Sequence, residues 1–172
     1  MIIFTNIFSN TEDGLYMKRA LITGISGQDG AYLAKFLLSK NYQVFGMYRR
    51  LSTPNFWRLH YLDIYDKVNF ISGDILDSRS IYQSLQKSNP DEVYHLAAQS
   101  FVGASFDQPL YTSDVTGFGT LRILEEMKKF NEKIKFYQAS SSEMYGDVKS
   151  SIKSEKTPFQ PSSPYAIAKL YA

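Results

Sequence analysis

Residues 20–38, ALITGISGQDGAYLAKFLL, constrain the fold more than any other stretch of the chain. Gly24, Gly27 and Gly30 stand at G-x-x-G-x-x-G spacing between RALIT (19–23), a buried-strand candidate, and AYLAKFLLSK (31–40), a helical pattern with Leu33, Phe36 and Leu37 on one face. Glycines here allow a tight turn and let backbone N–H groups approach a pyrophosphate at the positive end of the helix. Three glycines alone are a weak signal. A strand before them, a helix after them and first place in the fold make it a strong one.

The same alternation continues downstream. Strand candidates are YQVFGMY (42–48), KVNFISG (67–73), DEVYHLAA (91–98) and KIKFYQAS (133–140). Between them lie a short helix at 56–65, a helix at 78–88 with Asp77 as its N-cap, and a long helix at 110–130. A last helix opens at PYAIAKLYA, after a polar loop over 146–163. Strands alternating with helices imply right-handed βαβ units and an α/β fold, a doubly wound parallel sheet of Rossmann type.

A chain of 172 residues with 44% apolar side chains can bury one domain's core. The domain is expected over 17–172, with 1–16 a leader or a mis-called start. A net charge of +2, without a long run of one sign, speaks against nucleic-acid and membrane-surface partners. The absence of cysteine excludes disulfides, thiol nucleophiles and thiolate metal sites, and fits a cytoplasmic setting. No metal site is expected either: the only histidines are His60 and His95, and His95, inside an apolar strand, is read as packed core.

The end of the second strand reads the adenosine ribose in such sheets. A carboxylate there suits a free 2′-hydroxyl, and arginine suits a 2′-phosphate. This chain has Arg49 and Arg50 and no acid, so NADP is expected rather than NAD. Asp74, just past the third strand, is placed to meet the adenine edge or simply to form a turn.

Two Tyr-x-x-x-Lys pairs occur, Tyr145–Lys149 and Tyr165–Lys169, and spacing alone does not separate them. Gly146 follows Tyr145 and breaks a helix. Ser163-Pro164 precedes Tyr165 and starts one, so Tyr165 and Lys169 should share a face. A lysine there would pull the phenol's pKa down toward working pH. Ser141 and Glu143, two apart at the end of the fifth strand, should point to one side of an extended chain, a hydroxyl beside an acid/base. A capping turn is the plainer reading of the same residues.

These motifs, with HLAAQSFV, SFDQPLYTSDVTGFGTLRIL and FYQASSSEMYG in the same order, resemble the extended short-chain dehydrogenase/reductase family, and within it the GDP-mannose 4,6-dehydratases. The resemblance spans 18–172. It implies a nucleotide-sugar lyase using NADP, with Ser141, Glu143, Tyr165 and Lys169 catalytic. It also implies that Gly24, Ile25, Ser26, Gly27, Gln28, Asp29, Gly30, Arg49, Arg50, Asp74, Ile75, Leu96, Ala97, Ala98, Gln99, Ser100, Tyr111, Tyr165 and Lys169 bind the cofactor. GDP-mannose or a related nucleotide sugar is the implied partner. A homo-oligomer is implied at full length. Relatives are about twice as long, and their C-terminal part, missing here, supplies the sugar pocket. Ser141 replaces the family's usual threonine, and Ala97 and Phe101 replace a glycine and a histidine. An epimerase or reductase on another nucleotide sugar, or a non-catalytic NADP-binding fragment, remains open.

Overall fold

The computed structural model describes residues 16–146 and 152–172. Residues 1–15 and Lys149 of the first Tyr-Lys pair therefore lie outside the described residues. Five strands form one sheet: β1 (Arg19–Thr23), β2 (Gln43–Tyr48), β3 (Asn69–Ser72), β4 (Glu92–His95) and β5 (Lys135–Gln138), in the order β3-β2-β1-β4-β5. Every ladder is parallel, so every connection must cross a face of the sheet. The crossovers use α1 (Gln28–Ser39), α2 (Trp57–Tyr61) and α3 (Ser78–Ser88), then a run from α4 (Val102–Asp107) through α5 (Pro109–Thr112) to α6 (Gly119–Phe130). Helix α7 (Pro164–Tyr171) follows β5. Strand order reverses between β1 and β4, which opens a crevice at their carboxyl ends. The expected doubly wound sheet is the one observed.

Alternation along each strand divides the core into two layers. Leu21, Phe45 and Val93 meet Ile81, Leu85, Ile123 and Met127 on the α3–α6 side. Ala20, Ile22 and Val44 meet Ala31, Ala34 and Leu37 of α1, with Leu59 of α2.

Several boundaries differ from the sequence reading, each for a local reason. The buried face of α1 is Gly30, Ala31, Ala34 and Leu37, while Phe36 lies on the surface. Small residues win because α1 lies hard against the glycine turn, where a Cβ on Gly30 would collide with the Gly24 carbonyl. Strand β4 ends at His95 rather than at residue 98, because the Leu96 and Ala97 N–H groups turn toward Thr23 Oγ1 at 3.2 and 3.1 Å. The short helix shrinks to α2, with a separate 3₁₀ turn at Tyr65–Lys67. The long helix at 110–130 is three pieces, α5, a π turn at Ser113–Phe118, and α6. Helix α4 was not visible beforehand: its N-cap, Phe101, makes no side-chain cap, and VGASFD has no apolar period. Asp77 caps α3 as expected, accepting from Arg79 N and Ser80 N at 3.1 and 3.2 Å. Among the described residues no helix is long and apolar enough to cross a membrane.

Candidate active site

The glycine turn sits in the crevice. Gly24 adopts φ +73°, and a Cβ there would stand 2.9 Å from Ala97 N, so the β1 and β4 loops touch backbone to backbone. Gly27 N–H donates to Gly24 O at 3.0 Å. Gly27 is also the N-cap of α1 and offers no side-chain oxygen, so the first-turn N–H groups have no cap from it. Ser26 is half-buried, and Gln28 and Asp29 are exposed at the helix start. The Ile25 side chain, by contrast, is wholly buried in the α1-side core, so Ile25 can meet a ligand only through its backbone.

Thr23 and His95 clasp the two loops from below. Thr23 Oγ1 lies 2.7 Å from His95 Nδ1 and accepts the Leu96 and Ala97 N–H groups. Those two donors occupy the oxygen's lone pairs, so its proton goes to Nδ1 and the histidine proton sits on Nε2. Burial, and after it the Lys169 charge, push the His95 pKa down to about 3. His95 is packed core, as its setting in the sequence indicated.

At the end of β2, Arg49 donates to the Tyr111 hydroxyl at 2.8 Å, joining two predicted cofactor residues 62 positions apart. Arg49 and Arg50 border a cleft of about 310 Å³ together with Ser26, Ser52 and Asn55. Arg58 escaped the sequence reading. Its guanidinium donates to Ser26 O at 3.3 Å and stacks 4.4 Å from the Trp57 ring. A third arginine eight residues after the first pair was the available signal. Asp74 is partly occupied as a turn former, since its Oδ1 accepts Leu76 N–H at 3.0 Å. Ile75 belongs to the core, and of the loop after β4 Leu96 to Gln99 are half-buried while Ser100 is exposed.

The four candidate catalytic side chains converge beyond the end of β5. Ser163 caps α7, accepting Ala166 N–H at 3.1 Å, and Pro164 occupies the first turn. Tyr165 and Lys169 then lie on one face, both buried, with Lys169 Nζ 5.9 Å from the Tyr165 ring centre. Lys169 donates to Ala139 O at 2.6 Å, which ties α7 to the chain leaving β5. Burial brings the lysine's pKa down to about 8.

Two expectations need correction. Ser141 and Glu143 do not share one extended run: Ser141 keeps extended backbone, but Glu143 lies in a 3₁₀ turn over Ser142–Tyr145. Ser141 Oγ caps it by accepting Glu143 N–H at 3.2 Å. This bond fixes the serine rotamer without the methyl of threonine, and it leaves the hydroxyl proton free for Tyr165. The Tyr165 pKa is also raised rather than lowered. Burial is the main cause, opposed by the hydrogen bond from Ser141 and reinforced by the Glu143 charge. Lys169 has its ammonium on Ala139 and is not among the causes. Tyr145 of the other pair is engaged elsewhere, its hydroxyl donating to Ser154 O at 3.4 Å and its ring 5.2 Å from Phe159.

The GDP-mannose 4,6 dehydratase family model matches residues 21–172. The chain belongs to that family. A GDP-mannose 4,6-dehydratase of Vibrio cholerae is 51% identical over 162 residues, which is 90% of this chain and 44% of that protein. The human GDP-mannose 4,6 dehydratase is 48% identical over 161 residues, 89% of this chain and 43% of that one. This chain thus spans less than half the length of the curated relatives it matches. Among solved structures, a UDP-glucose 4-epimerase of Thermotoga maritima with UDP-glucose superposes with a TM-score of 0.77 at 28% identity, covering 88% of this chain and 47% of that one. A Thermus thermophilus UDP-glucose 4-epimerase in complex with NAD gives 0.76 at 28% identity, with the same coverage.

Proposed function

We propose that this chain is the cofactor-binding half of a GDP-mannose 4,6-dehydratase that works with NADP. The observation that carries the reading is the convergence of Ser141, Glu143, Tyr165 and Lys169 beside a glycine turn built for close backbone approach. The cradle fits a dinucleotide: the first-turn N–H groups of α1 have no side-chain cap from Gly27, and the two-arginine cleft at the end of β2 suits a 2′-phosphate. Backbone N–H groups of residues 24–30 would hold the pyrophosphate, Arg49 and Arg50 the 2′-phosphate, and Lys169 the nicotinamide ribose. Bound there, NADP supplies a hydride acceptor at sugar C4 and, later, a donor at C6.

The side chains account for the protons. Tyr165 takes the proton of the C4 hydroxyl as the carbon is oxidised to a ketone. Ser141, whose hydroxyl favours the ionised form of Tyr165, would stabilise the phenolate that forms. The ketone acidifies the C5–H bond, and Glu143 removes that proton and gives it to the C6 hydroxyl, which leaves as water. The proton held by Tyr165 goes to C5 when C6 is reduced. The product is GDP-4-keto-6-deoxymannose, with no net change in the cofactor's oxidation state. A cytoplasmic setting and a homo-oligomer at full length belong to the same proposal.

A second reading, a dinucleotide-binding fragment without turnover, is favoured by the chain's span of 44% of its Vibrio relative. One pair of measurements separates them. The 172-residue chain should bind NADPH at least about tenfold tighter than NADH, on the strength of one charge-assisted contact. A version extended to the length of its relatives should convert GDP-mannose to a 4-keto sugar that absorbs in alkali, and Tyr165→Phe should abolish this. Unchanged GDP-mannose with the extended protein refutes the dehydratase and leaves the binding fragment.

A further inference from the structure

The π turn Ser113–Phe118 interrupts an otherwise α-helical run. Such turns are rare and recur at functional sites, because the wider turn re-aims the residues that follow. Here the turn and the residue after it reach three parts of the cleft. Thr116 is 1% exposed, and its Oγ1 accepts the Gln99 N–H at 3.2 Å while its hydroxyl faces Gln99 O at 3.4 Å. One side chain therefore satisfies both backbone groups of Gln99, in the loop after β4. Gly117 presses on α7: a Cβ there would stand 3.2 Å from the Tyr171 ring and 3.5 Å from Ala168 O. Gly119 would set a Cβ 3.2 Å from Ile75 Cδ1, at the loop after β3. Arg122 ties the turn to α6, donating to Asp114 Oδ1 at 2.6 Å and to Asp114 O at 3.2 Å. Ordinary α spacing stacks positions 116 and 119 on one face. The π turn separates them, so that one serves the β4 loop and the other the β3 loop.

We propose that this π turn is a positioning element of the dinucleotide cleft, with Thr116 holding the Leu96–Ser100 loop against the glycine turn. The inference rests on the dinucleotide reading above. Thr116 touches no reactant; it acts through the Gln99 backbone.

The test uses the 172-residue chain. Thr116→Val keeps the branched shape and removes both bonds. Thr116→Ala removes the same hydroxyl without a second methyl, so a packing failure of valine does not decide the outcome. Thr116→Ser restores the hydroxyl. NADPH affinity and amide hydrogen exchange at Gln99 and Ile22 are the readouts. The hydroxyl-less variants should weaken NADPH about fivefold and speed Gln99 exchange about tenfold, the effect of one lost buried hydrogen bond. Exchange at Ile22, in the sheet, should not change, and Thr116→Ser should return both values toward the parent. Parent-like NADPH binding and Gln99 exchange in the variants overturn the inference and leave the dinucleotide reading intact. If the parent chain takes up no NADPH, the dinucleotide reading fails instead. Gln99 exchange then decides the positioning role alone: protection lost in Thr116→Ala and regained in Thr116→Ser supports it, and unchanged protection overturns it.

Discussion

His95 should make the stability of this domain fall steeply in mild acid. Its folded pKa is pushed down to about 3, first by burial and then by Lys169, from an unfolded value of about 6.5. The folded chain refuses a proton that the unfolded chain accepts, because a buried imidazolium would lose its hydration and face the Lys169 charge. The contribution is fully present above pH 6.5 and drains away as pH falls toward 3. At pH 5, about 1.5 units below the unfolded value, the loss is about 2 kcal/mol at about 1.4 kcal/mol per unit. Urea unfolding followed by circular dichroism at pH 7.5 and 5.0 measures it, on the parent and on His95→Asn. Asparagine keeps an acceptor for Thr23 and does not titrate. Every other titrating group is common to both proteins, so the parent should lose about 2 kcal/mol more than the variant across that interval. Equal losses, or a His95 ring that titrates near pH 6.5 by NMR in the folded protein, would refute the reasoning.

Gly24→Ala should destabilise the chain by about 2 kcal/mol and abolish measurable NADPH uptake, since φ +73° and a 2.9 Å approach to Ala97 N leave no room for a methyl; parent-like binding by the variant counts against the cradle. At the opposite end of the sheet, buried Glu92 accepts from Tyr94 at 2.8 Å and from Tyr42 and Lys18 at 3.4 Å each. Glu92→Leu leaves three donors without their acceptor and should cost about 3 kcal/mol in urea unfolding. NADPH affinity measured well below the melting temperature should not change, and a shift in affinity would show that the two ends are coupled.

How much of this was legible beforehand follows from how local each cause is. The strand at Arg19–Thr23, the glycine turn, the Asp77 cap and the Ser163-Pro164 start of α7 depend on residues within one turn of each other, and the amino-acid order alone determined them. The same holds for the shared face of Tyr165 and Lys169, which needed only the helix start beneath them. What only the tertiary structure decided involves partners far apart in the chain. Arg49 meets Tyr111 across 62 positions, Arg58 meets Ser26 across 32, and Thr23 meets His95 across 72. The direction of the Tyr165 shift belongs here too: it is set by burial and reinforced by Glu143, against a serine 24 residues away, while the lysine expected to lower it is held by a backbone carbonyl across 30 positions. Spacing can place a lysine on the same helix face as a tyrosine. Whether its charge reaches the phenol depends on which acceptor the fold brings closer, and here that acceptor is Ala139.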